Sequence, residues 1–89
     1  MLGRLRRGRK FTSTREVTFV TRDGCTMCSD ALPVVERVCV SAGVPLTVLD
    51  VDADPSLAEH SDHVPVVLVD GAVVSRWWVD EKDLIKALR

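Results

Sequence analysis

Asp70-Gly71 stands between two β-branched runs, Val64 to Val69 and Ala72 to Trp78. An Asp-Gly dipeptide in that setting is the strongest short-range signal for a β-hairpin, because both turn positions need positive φ. The C-terminal part of the chain must therefore contain an antiparallel pair. Upstream, Val17 to Thr21 form another β-branched run that stops at the turn signal Arg22-Asp23-Gly24. Between Cys25 and Gly43, residues Leu32, Val35, Val38, Cys39 and Ala42 recur at three- and four-residue spacing. That period predicts an amphipathic helix with one buried stripe, bent at Pro33 and ended by Gly43 and Pro45. Leu46 to Val51 predicts a second strand, and Pro55 to about His60 a short helix. Asp80 is placed to cap a last helix, with Leu84, Ile85 and Leu88 as its buried face and Lys86 and Arg89 toward its C-terminal end.

The order is strand–helix–strand, short helix, strand–strand–helix. A strand–helix–strand unit demands a parallel, right-handed crossover, and the hairpin supplies an antiparallel pair. One α/β domain over residues 16–89 satisfies both, with a four-stranded mixed sheet built from a βαβ unit and a ββα unit and helices on both faces. The 89 residues leave room for one such domain.

Charge is divided along the chain. Residues 1–16 carry six basic side chains against Glu16 alone, while the remainder carries six basic and twelve acidic ones. Residues 1–15 show no helical or strand period and read as a flexible basic extension. Apart from Phe11 they lack the interleaved aromatics of a nucleic-acid platform, so no nucleic acid is expected as partner. No apolar run has the length of a membrane span or follows the basic start in the manner of a secretory signal. A soluble cytoplasmic monomer is expected.

Cysteine usage points to chemistry rather than to stapling. Three cysteines leave one unpaired, and Cys25 and Cys28 would close too short a loop for a bridge to gain much from loop-closure entropy. What gives the pair meaning is its place, directly after a strand and at the start of a helix. The first amide N–H groups of a helix lack partners and carry partial positive charge, which favours a thiolate. A free thiol has a pKa of ~8.5, whereas helix-terminal Cys-x-x-Cys thiols fall to ~3.5–7.5. Cys25 at the helix end is thus the expected nucleophile, and Cys28, one turn in and shielded, the expected resolving thiol. Cys39 falls on the apolar stripe and reads as a small core residue.

Alternative readings fare worse. His60 and His63 could join the pair in a zinc site, but 31 residues separate Cys28 from His60, far outside finger-type spacing, so no metal is expected. The run Asp50-Val51-Asp52-Ala53-Asp54 has Pro55 where a calcium loop requires glycine and Ser61 where its bidentate Glu belongs. The two histidines lie in the polar stretch Glu59 to His63 and are expected to be solvated. A module of the same fold that senses redox state or holds a metal without turnover is the competing function.

Four features together resemble the thioredoxin-fold superfamily, and specifically its short glutaredoxin-like members. They are Cys25-Thr26-Met27-Cys28 after a strand, Pro33 eight residues beyond the first cysteine, Val64-Pro65 before the third strand, and the Asp70-Gly71 hairpin followed by a terminal helix. The resemblance covers residues 16–89. It implies a thiol–disulfide oxidoreductase that needs no cofactor and exchanges a Cys25–Cys28 dithiol with protein or low-molecular-weight disulfides. A reductase or a small thiol would be its electron donor. It further implies a cis Val64–Pro65 bond against the dithiol and a substrate-binding set of Arg22, Thr26, Met27, Val64 and Pro65. Two departures count against glutathione as partner. Thr26 and Met27 offer no aromatic ring, and Val74-Ser75-Arg76-Trp77-Trp78 contains no Gly-Gly pair, leaving Arg76 for any carboxylate contact. Trp77 and Trp78 read as alternating strand residues, one inward and one facing solvent.

Overall fold

The computed structural model describes residues 14–89. The basic extension read at residues 1–15 therefore lies, but for Thr14 and Arg15, outside the described residues. The elements follow in the expected order: β1 (Val17–Thr21), α1 (Thr26–Ala42), β2 (Leu46–Asp50), a 3-10 helix (Pro55–His60), β3 (Val66–Val69), β4 (Ala72–Arg76) and α2 (Glu81–Ala87). The sheet order is β2-β1-β3-β4, with β1 parallel to β2 and antiparallel to β3, and β3 antiparallel to β4. This is the thioredoxin fold, a four-stranded mixed sheet with flanking helices.

Strand alternation divides the core between the two faces. On one, Val17 and Phe19 of β1 and Val67 and Val69 of β3 meet Cys28, Ala31, Val35, Val38 and Cys39 of α1 and Leu84 of α2. On the other, Val20 and Val66 form a smaller cluster with Val51, against which Leu57 of the 3-10 helix packs. Both α-helices thus cover one face and the 3-10 helix the other.

Local chemistry sets the element ends. Asp70 and Gly71 take φ of 53° and 85°, the two positive values that the Asp-Gly hairpin turn requires. The Asp70 carboxylate also accepts from the Glu16 N–H and from Arg15, each at 2.9 Å, fastening the start of β1 to the hairpin. Helix α1 runs through Pro33 and ends at Gly43, whose φ of 69° lets its N–H and that of Val44 return to carbonyls of the last turn.

Three boundaries differ from the sequence reading. β2 ends at Asp50, although the Val51 N–H still reaches the Thr21 carbonyl at 2.9 Å. β3 begins at Val66 rather than Val64, since Pro65 has no N–H for a ladder. β4 stops at Arg76 rather than Trp78 because Trp77 turns to φ 67°. In α2, Leu84 is buried but Ile85 faces outward, because two helical turns can press only one narrow stripe against the sheet.

Candidate active site

The strand-to-helix junction is built by a turn. β1 ends at Thr21, Gly24 takes φ 79°, and the Cys25 N–H donates to the Arg22 carbonyl at 3.2 Å. Cys25 then adopts extended backbone (φ −86°, ψ 108°) as the N-cap of α1. Its Sγ accepts the Cys28 N–H at 3.1 Å, in the way a capping oxygen accepts one of the orphan donors of a first helical turn. The Cys25 carbonyl takes the Ser29 N–H and hydroxyl, at 3.1 and 3.2 Å. Cys25 and Cys28 are joined as a disulfide with Cα atoms 5.2 Å apart.

Burial separates the two sulfurs. Cys28 is 2 % exposed and belongs to the main core cluster, whereas Cys25 is half-buried against it. Thr26 and Met27, between them, face outward, Met27 with 46 % exposure. Cys39 is the free cysteine; it is buried, and burial pushes its thiol pKa up.

Arg22 braces this turn. Its Nε and Nη2 clasp both oxygens of Asp52 at 2.9 and 3.0 Å, while Nη1 and Nη2 reach the carbonyl and hydroxyl of Ser61 at 3.0 and 2.7 Å. The guanidinium holds the Asp52 carboxyl below the usual carboxylate range. The turn before the dithiol is thereby tied to the loop after β2.

Val64–Pro65 is cis. Pro65 is fully buried, and Val64 packs on the same cluster as Cys25. Because Val66 pairs with Val20 near the end of β1, this dipeptide lies at the end of the sheet where the dithiol emerges. Trp77 arrives at the same end from β4. Its backbone N–H donates to the Pro65 and His63 carbonyls at 2.9 and 3.0 Å, and its indole N–H to the Asp62 carbonyl at 3.1 Å. Its ring stands edge-on to His63, with centroids 5.3 Å apart.

Two expectations are corrected here. Neither tryptophan packs inward: Trp77 is 45 % and Trp78 67 % exposed, because the chain leaves the strand before it can present them alternately. His60 is not solvated but only 8 % exposed, since it closes the 3-10 helix, with Nε2 3.8 Å from Glu59. Among the described residues no group of three or more His, Cys, Asp or Glu could hold a metal ion. Among those residues, too, no helix is long and apolar enough to cross a membrane. Sequence reasoning missed the Arg22–Asp52–Ser61 brace and the Trp77 latch. The brace had a faint signal in the lone cation among acidic neighbours, and the latch had none.

The profile of a glutaredoxin-like domain (DUF836) matches residues 16–89. The chain belongs to the glutaredoxin-like family. An uncharacterised protein of Mycobacterium tuberculosis is 36% identical over 78 residues, covering 81% of this chain and 80% of the relative. Among solved structures, one from Nitrosomonas europaea matches with a TM-score of 0.74 at 18% identity, covering 88% of this chain and 95% of that one. A mutant thioredoxin from Halobacterium salinarum matches with a TM-score of 0.66 at 24% identity, covering 85% and 73%. These structural likenesses establish the fold. In this glutaredoxin-like domain, a disulfide-forming pair at the mouth of the first helix supports thiol–disulfide oxidoreductase chemistry.

Proposed function

We propose that the chain reduces disulfides with Cys25 as attacking and Cys28 as resolving thiol. The observation that carries this division is the 3.1 Å contact from the Cys28 N–H to the Cys25 Sγ. The same helix dipole and amide donor that cap the helix stabilise a sulfur anion at Cys25 once the pair is reduced. Half exposure lets that anion meet a substrate, and the burial of Cys28 keeps it from doing so first.

The exchange balances as follows. The Cys25 thiolate attacks one sulfur of the substrate disulfide, forming a mixed disulfide and expelling the other sulfur as a thiolate that takes up a proton. Cys28 loses its proton and attacks the Cys25 sulfur, releasing the second substrate thiol and leaving the 25–28 disulfide. Two electrons pass from the pair to the substrate, and a reductase or a low-molecular-weight thiol returns them. No cofactor is needed. Thr26, Met27 and the backbone of Val64 before Pro65 form the surface that meets the substrate, and Arg22 acts by holding the turn. The chain works in a reducing cytoplasm, where such a pair is kept as dithiol.

The test is a pair of serine variants. Cys25→Ser should lose exchange with every disulfide offered. Cys28→Ser should keep the first step and accumulate a mixed disulfide, visible as a mass increase reversed by dithiothreitol. A Cys28→Ser protein that traps nothing would remove the assignment.

A further inference from the structure

The inference rests on the thiol–disulfide reading and names the substrate class of that same site. Three exposed apolar side chains gather at the dithiol end of the sheet: Met27 between the cysteines, and Trp77 and Trp78 beyond β4. Trp77 is not a loose side chain. Its positive φ of 67° is unusual for a bulky residue, and it is held there by two backbone bonds, an indole bond and the His63 ring. Ordered aromatic surface gives up little conformational freedom on binding, which is why rigid Trp and Tyr serve as contact anchors.

Among the described residues, the charge around this ledge is predominantly negative. The loops that meet here, residues 22–24, 50–65 and 77–80, carry seven carboxylates, from Asp23 to Asp80, against the single guanidinium of Arg22. That guanidinium is committed to Asp52. Among the described residues, Arg76 at the end of β4 and Lys82 in the first turn of α2 are further cations at the margin of these segments. A small thiol bearing carboxylates meets like charge on this approach. A cationic polypeptide meets opposite charge, and its Lys or Arg side chains find the exposed indole face of Trp78 for a cation–π contact.

We propose that the dithiol acts on disulfides flanked by basic residues in polypeptide partners, which dock on the Trp77–Trp78 ledge. The electrons and atoms move as in the exchange above; only the recognition is new. Trp78 is the contact residue, and Trp77 a positioning residue that fixes the ledge to the Pro65 loop.

The experiment uses pre-reduced protein and three probes: a disulfide peptide flanked by Arg, the same peptide flanked by Glu, and hydroxyethyl disulfide. Each second-order rate constant is divided by that of dithiothreitol with the same probe, which removes differences in intrinsic reactivity. At low salt the Arg peptide should outpace the Glu peptide by ~10-fold or more, within the range of electrostatic steering. That ratio should collapse toward one near 1 M salt, where the Debye length is ~3 Å. Trp78→Ala should slow the Arg peptide more than it slows hydroxyethyl disulfide, and Asp62→Asn should narrow the charge ratio. Exchange that ignores peptide charge, or a Trp78→Ala loss equal for all probes, overturns this inference and leaves the dithiol chemistry standing. Failure to react with any probe overturns the dithiol chemistry itself, and the inference with it.

Discussion

The three thiols differ only in where the fold puts them, and that difference is measurable. Cys25 caps a helix and is half exposed, Cys28 lies one turn deeper at 2 % exposure, and Cys39 is buried. In the reduced native protein, iodoacetamide should label Cys25 first, with a pH midpoint below the ~8.5 of a free thiol. Cys39 should react only after unfolding. A Cys25 midpoint at the free-thiol value would contradict the role assigned to the helix N–H groups. Burial also has a consequence for alkaline stability. Because the folded Cys39 pKa is raised, its contribution is complete below the unfolded value and is lost as pH rises through the folded one. Cys39→Ala should flatten that alkaline slope in denaturation curves. At Trp77 the competing effects are backbone strain and ring contacts. A left-handed conformation costs a non-glycine residue roughly 1–2 kcal/mol. Trp77→Gly and Trp77→Ala both lose the ring, so the glycine variant should be the more stable by about 1 kcal/mol in urea denaturation. Equal midpoints would show that the left-handed turn stores no such cost.

Elements reach the site through their ends. Helix α2 has one fully buried anchor, Leu84, and one N-cap, Asp80, whose carboxylate accepts the Lys82 N–H at 2.9 Å. Leu84→Ala should cost ~2–5 kcal/mol by opening a cavity, and Asp80→Ala ~1 kcal/mol by orphaning a helical donor. Both are read from denaturant midpoints, and a reversed order would mean that α2 is held by its cap rather than its packing. The Arg22 brace couples two loops. The Asp52 pKa is depressed by Arg22, so its contribution is present above the unfolded carboxylate value and is lost as pH falls through the folded value. In Arg22→Gln that acid-side loss should vanish, so wild type and variant converge at low pH. A difference that persists in acid would place the role of Arg22 in its Ser61 bonds instead.

At the scale of the molecule, β1 is the strand on which both faces depend, since it lies between β2 and β3 and contributes Phe19 to one cluster and Val20 to the other. Phe19→Ala should cost ~3–5 kcal/mol, a large part of the ~5–15 kcal/mol that holds a domain of this kind together. A variant that keeps its native circular dichroism and melting temperature would show that the second face alone sustains the sheet. The hairpin, the helix with its glycine stop, the order of elements and the cysteine junction were all legible in the amino-acid sequence. Each of these depends on short-range rules: positive φ at Asp70-Gly71, a 3.6-residue apolar period, and unpaired amides at a helix start. Trp77, His60 and Arg22 were not legible, because their states depend on partners far along the chain. Trp77 leaves its strand to bond Pro65 and His63, His60 is covered by the packed 3-10 helix, and Arg22 finds Asp52 and Ser61 across a turn. The sequence alone settled which elements form and where the two sulfurs stand, since local backbone geometry decides both. Only the tertiary structure decided what surrounds those sulfurs, because long-range hydrogen bonds and packing exist only once the sheet has brought distant residues together.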